Sequence, residues 1–204
     1  MKLNEKEAYK LLIEGLETPE NIQYVTHCRY VGNLAGMIAD GLRLDSQYAT
    51  VLGYLHDIGR KIEPDNHMYA GYEYLKNNGY DEYAYICLTH SFLNNDIECI
   101  CGCFLEPESR GYKEVKSFIE EHKNTMYDKI VQTCDLLCLH TGGTTLEQRI
   151  EDIESRKGTH YKSQYHKETA TAQKAEIEAM LGHSIYDFYD KLTRKENELW
   201  KTFW

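Results

Sequence analysis

The sequence predicts an all-α, single-domain helical bundle over residues 1–204 with an additional C-terminal helical segment, and three observations carry that expectation. The 204 residues suffice for one sizeable hydrophobic core, and no Pro-rich or Ser/Gly-rich linker divides them. The only prolines are Pro19, Pro64 and Pro107, which leaves long stretches free of helix breakers. Apolar residues recur at three and four positions between helix-start and helix-stop residues, whereas strand-like alternation is scarce.

Thr18, Pro19 and Glu20 read as a helix start, followed by an apolar stripe of Ile22, Val25, Cys28, Val31, Leu34, Ala35 and Ile38 that ends at Gly41. Asp45 or Ser46 starts a second helix through Ala49, Leu52 and Leu55 to His56 and Asp57, with Gly59 ending the segment and turning the chain away. Asp65 or Asn66 caps a third, which holds His67 in its first turn and stops near Gly79. Asp81 opens a fourth, with Tyr83, Ile86, Cys87 and His90 along one face. After a loop at Asn94 and Asn95, the Cys-rich segment and residues 113–122 read as helical. Asn124 or Thr125 begins a helix whose stripe of Ile130, Val131, Cys134, Leu137 and Cys138 is interrupted by Asp135 and ended by Gly142 and Gly143. Thr145 and Gln148 have capping-box spacing for a helix ending at Gly158. A further helix runs to about Gly182, and Ser184 starts the last, whose tail is aromatic: Phe188, Tyr189, Trp200 and Phe203.

A formal net charge of −10 argues against a nucleic-acid polymer as ligand, because such binding rests on clustered Lys and Arg. The first sixteen residues alternate charged with apolar side chains, unlike a signal peptide or a membrane span, so a cytoplasmic protein without a membrane partner is expected. Seven cysteines, an odd number, read as reduced thiols. Cys28, Cys87, Cys134 and Cys138 sit among apolar neighbours as small core residues. The single-residue spacing of Cys99, Cys101 and Cys103 suits packing better than one tetrahedral zinc.

His27, His56, Asp57, His67, His90 and Asp135 lie on or beside apolar stripes, where a lone charged group costs several kcal/mol. Each histidine alone is readable as a hydrogen-bonded core residue. Together, four imidazoles and two carboxylates are more simply satisfied by a shared divalent metal. His122, His140, His160, His166 and His183 stand in polar or terminal contexts and read as surface residues. Arg60 and Lys61, directly after the His-Asp pair, are candidates for neutralising a substrate phosphate, or else a solvated helix-end pair. The loop 140–145 offers glycines before a helix N-terminus, with Arg149 one turn later; it reads as a second phosphate-binding candidate or as an ordinary junction between caps.

The stretch HDIGR at 56–60, with THCRYVGNLAGMIA around His27 and KIVQTCDLLCL around Asp135, resembles the HD-domain superfamily of metal-dependent phosphohydrolases in its HDIG form. NHMYAGYEYLKNNGY and YICLTH resemble the two further histidine segments of members that hold two metals. The resemblance covers residues 22 to about 140, which implies an HD metal-binding core at 22–140 and a C-terminal helical extension at 145–204. It implies one or two divalent ions, with Fe, Mn, Ni, Co, Zn and Mg all open. His27, His56, Asp57 and Asp135 would hold the first ion, and Asp57 would bridge to a second held by His67 and His90. The implied activity, centred on His56 and Asp57, is hydrolysis of a phosphoester or phosphoanhydride of a small molecule, a nucleotide or dinucleotide being the best guess. Other members imply two alternatives, a di-iron oxygenase and a metal-containing binding or regulatory module. The aromatic tail is left open between completing the core, closing over the site and forming a homodimer.

Overall fold

The computed structural model describes residues 2–14, 19–102 and 105–195, and the side chains of residues 19–22 are outside the description. Helix α1 (Glu5–Ile13) precedes α2 (Pro19–Gly41), α3 (Ser46–Leu55), α4 (His67–Asn77), α5 (Asp81–Thr89), α6 (Tyr112–Glu121) and α7 (Met126–Leu137). A two-stranded antiparallel hairpin, β1 (Cys138–Leu139) and β2 (Gly142–Gly143), leads to α8 (Leu146–Lys157) and α9 (Ser163–Leu181). The expected all-α class stands, with this small hairpin as its one addition among the described residues.

The core is built on α2. Its residues Val25, Cys28, Val31, Leu34, Ala35 and Ile38 are buried, as are Leu52 and Leu55 of α3 and Ile130, Val131, Cys134 and Leu137 of α7. Each buried aliphatic side chain contributes about 1.5–3 kcal/mol. Helices α2 and α3 meet backbone to backbone because Gly32 faces Gly53; a Cβ on Gly53 would strike the Gly32 backbone. A second apolar layer of Met68, Leu88, Phe92, Ile100, Val115 and Ile119 lies under α6.

Four helix starts are set by reciprocal or single caps. Asp45 accepts from the Tyr48 N–H, while Asn4–Glu7, Thr125–Asp128 and Thr145–Gln148 form capping boxes. The first of these boxes starts α1, a helix that the expectations did not place, and buries Ala8, Tyr9 and Leu12.

Two segments differ from expectation. The Cys-rich segment is not helical over its described residues: Asn94, Asn95 and Gly102 adopt positive φ, which breaks any helix, and the Asn95 side chain caps the carbonyls at the end of α6. Cys99 is buried and Cys101 half-buried, while Cys103 lies outside the described residues. Helix α7 ends at Leu137, five residues before Gly142, because Cys138 is extended and pairs with Gly143. The tail supports this turn: the Tyr189 ring lies against Gly143, and its hydroxyl donates to Leu137 O (3.1 Å) and Thr144 O (2.6 Å). Ile185 and Leu192 are buried, so this part of the tail completes the core; Trp200 and Phe203 lie outside the described residues. No helix among the described residues is long and apolar enough to cross a membrane.

Candidate metal centre

Five elements deliver side chains to one point. His27 comes from the middle of α2, His56 and Asp57 follow the last turn of α3, His67 is the first residue of α4, His90 follows α5, and Asp135 sits in the last turn of α7. Helix ends serve this purpose because side chains there can converge without the backbones having to cross. Gly59, expected to end the segment and turn the chain away, makes the convergence of Asp57 and His67 possible by having no side chain. A Cβ at Gly59 would strike the His67 carbonyl oxygen and the Gly71 nitrogen, so glycine lets the short 3₁₀ turn at Ile58–Lys61 lie directly on the start of α4.

The separations define two overlapping groups. His27 Nε2 is 3.0 Å from Asp135 Oδ1, and His56 Nε2 is 3.8 Å from the same oxygen and 3.7 Å from Asp57 Oδ2. Asp57 Oδ1 lies 3.2 Å from His67 Nε2 and 3.5 Å from His90 Nε2. All six residues named from the sequence as candidate ligands are thus brought together, and Asp57 stands between the two groups.

The histidines are held in one orientation. His56 Nδ1 is 2.7 Å from Gly53 O, His67 Nδ1 is 3.2 Å from Pro64 O and His90 Nδ1 is 3.1 Å from Ile86 O. A carbonyl only accepts, so the Nδ1 atoms of neutral His56 and His67 carry the protons and their Nε2 atoms present lone pairs. Burial pushes the imidazole of His56 down to about 4 and that of His67 to about 3, which keeps both neutral near pH 7. Asp57 is buried as well; burial works to raise its pKa, yet the Arg60 guanidinium holds the carboxyl well below the usual range. Asp135 is likewise lowered against the effect of burial, by its hydrogen bond from His27 and by His56.

Buried atoms without a hydrogen-bond partner include His56 Nε2, His67 Nε2 and Asp57 Oδ1. Lone pairs facing a carboxylate oxygen at 3.2–3.8 Å repel one another, and neither tautomer exchange nor protonation relieves this at neutral pH. Cations between them do. The donor set of imidazole nitrogen and carboxylate oxygen therefore fits a divalent metal, and the six residues can hold one or two ions.

Around the ligands opens a cavity of about 810 Å³. Arg60 lines it while paired with Asp57, and Arg149 reaches in from α8 with Nη2 4.0 Å from Asp135 Oδ1 and its buried Nε unpartnered. Lys61 points elsewhere, a correction to its grouping with Arg60. Its ammonium donates to Leu11 O (2.6 Å) and Glu14 O (3.2 Å), closing the end of α1. The loop 140–145 is likewise occupied by its own structure, since Thr145 and Gln148 satisfy each other's backbone N–H groups at the start of α8.

Sequence reading missed several neighbours. Tyr24, one turn before His27, turns a buried, unpartnered hydroxyl towards the cavity. Cys28 is a core residue as expected, and its sulfur also lies within 4.8 Å of ligand atoms of His56 and Asp57; burial pushes its thiol well up, so it stays protonated. Three histidines assigned to the surface are not there: His122 stacks on Phe118 and pairs with Asp128 at 3.2 Å, His160 Nε2 meets Ile100 O at 2.9 Å, and His166 is buried in the cavity wall. Tyr24 could be found from its helical spacing to His27, three residues on, whereas nothing in the spacing of Cys28 or in the polar sequence around His166 marks them.

A family model described as HD domain matches residues 24–153, well over half the chain. The chain belongs to the HD domain family. The HD match extends past residue 140, where the sequence resemblance ended, and takes in the Arg149 turn of α8. No curated protein and no solved structure matches. The HD family commonly comprises metal-dependent phosphohydrolases and includes members that are not hydrolases, so a metal-dependent, hydrolase-like function accords with both the family and the ligand cluster.

Proposed function

We propose that the protein is a metal-dependent phosphohydrolase that cleaves a phosphoester or phosphoanhydride bond of a small molecule, with a nucleotide or dinucleotide as the favoured substrate class. The observation that carries this reading is the buried set of unpartnered acceptors, His56 Nε2, His67 Nε2 and Asp57 Oδ1, beside a cavity that Asp57, His67, Arg60 and Arg149 line. His27, His56, Asp57 and Asp135 would hold one divalent ion, and Asp57, His67 and His90 a second. When bound, such ions lower the pKa of a water and neutralise charge on a phosphoryl group.

The remaining steps belong to the chain itself. Arg60 and Arg149 lie beside different carboxylates, Asp57 and Asp135, and their remaining N–H groups orient the oxygens of an entering phosphoryl group. The Tyr24 hydroxyl, protonated because burial raises it, offers a further donor on the α2 side. The backbone carbonyls of Gly53, Pro64 and Ile86 keep the imidazoles from rotating as charge develops. The small phosphorylated substrate is the only partner this reading requires.

The test is phosphate release from a panel of nucleotides, dinucleoside polyphosphates and sugar phosphates by protein loaded with Mn, Fe, Co or Ni. Turnover of at least one compound, lost on chelation, is expected. No turnover of any phosphoester by fully metallated protein would defeat the reading, and oxygen uptake by the iron-loaded form would replace it with oxygenase chemistry.

A further inference from the structure

The cavity has a second wall that the metal centre does not use. Helix α9, which follows the HD match, contributes His166, a residue with 2% of its surface exposed. Its backbone N–H bonds Lys162 O, but its ring has no hydrogen-bond partner among the described residues. His56, His67, His90, His122 and His160 all have their rings engaged by protein groups, whereas the His166 ring is left to the cavity it lines. The wall that holds it is firmly docked. Lys162 pairs with Asp96 (2.8 Å) and Glu98 (2.9 Å), Asn94 donates to the Tyr165 hydroxyl (2.6 Å), and Gln173 donates to Lys129 O and Thr133 Oγ1.

The ring is neutral at pH 7, because burial, with help from nearby His160 and Lys167 and against Glu154, pushes it down to about 4. A neutral imidazole has one donor and one acceptor. It does not balance a phosphate's charge, a task for which Arg60 and Arg149 are placed. It does complement a hydroxyl, which also both donates and accepts. A cavity of about 810 Å³ leaves room for an organic group well beyond a single phosphate at the metal end.

We propose that His166 is a specificity-determining residue that hydrogen-bonds a hydroxyl-bearing, uncharged part of the substrate, of the kind a sugar presents. This rests on the phosphohydrolase reading above for the position of the phosphoryl group.

The experiment uses the full-length, metal-loaded protein and its His166→Phe and His166→Leu variants. Calorimetry measures binding of ribose 5-phosphate and of inorganic phosphate, and turnover of ribose 5-phosphate and p-nitrophenyl phosphate is followed alongside. The variants are expected to bind ribose 5-phosphate roughly tenfold more weakly, with the phosphate affinity and the p-nitrophenyl phosphate KM unchanged within about twofold. Their Tm should be little changed, since no hydrogen bond within the protein is removed. The inference is overturned if ribose 5-phosphate binds the wild type no better than phosphate does, if the variants bind it equally well, if both anions weaken alike, or if neither variant folds. Absence of all turnover would defeat the hydrolase reading alone, because binding still decides the role of His166.

Discussion

His67 illustrates how one buried side chain is left with a lone pair suited to a cation. Its Nδ1 proton is taken by Pro64 O, its Nε2 faces the Asp57 carboxylate, and burial opposes a second proton. The same holds for His56. In metal-free protein this has a pH signature whose sign follows from linkage. Folded values of about 4 for His56 and about 3 for His67 lie below the unfolded value of about 6.5, so the unfolded chain binds more protons in between. Their stabilisation is complete above pH 6.5 and is lost as pH falls towards 4, on the order of 3 kcal/mol per residue at most. Urea midpoints of chelator-treated protein from pH 7.5 to 4.5 should fall steeply below 6.5; a flat profile would contradict the neutral, buried assignment. At this scale the convergence of the HD pair with His27, His67, His90 and Asp135 was legible, because ionisable groups on apolar stripes need compensation. Lys61 was not: it adjoins Arg60 in sequence, but in a 3₁₀ turn successive side chains point about 120° apart, so the two serve different ends. His166 was illegible because its burial arises from packing between distant segments.

Elements place these residues, and Gly59 is where that placement is most exposed to a single change. Gly59→Ala forces a Cβ into the backbone of His67 and Gly71, which cannot move aside as a flexible side chain would. The expected cost is about 1–3 kcal/mol of stability. His67 is displaced while His27, His56 and Asp135 stay, so the variant should lose one bound ion and retain the other. Metal analysis alongside a melting curve checks this, and retention of wild-type metal content would show that α4 tolerates the shift. Helix starts were legible where a capping residue marked them, as at Asp45, Thr125 and Thr145. They failed where a long-range contact decided: Tyr189 stabilises the hairpin that ends α7 early, and Asn95 turns the Cys-rich segment away from helix to cap α6.

For the whole molecule, the net charge of −10 and the cationic groups of the cavity pull in opposite directions. On the proposed reading, an acidic surface would repel polymeric anions, while Arg60 and Arg149 would admit a small one locally. Arg149→Ala should raise KM for a phosphorylated substrate roughly tenfold, since a charge-assisted contact contributes about 1.5–3 kcal/mol, with metal content unchanged. Loss of metal along with affinity would instead make Arg149 a support for Asp135.

The central claim is that six side chains, spread from residue 27 to residue 135, share cations. Titration of chelator-treated protein with Mn²⁺, followed by calorimetry and by metal analysis after desalting, tests it most directly. The account predicts saturable binding of up to two ions per chain, one site lost in His67→Ala and both in an Asp57→Ala/Asp135→Ala variant, with Tm rising as metal is added. Wild-type protein that takes up no more metal than the double variant would contradict it.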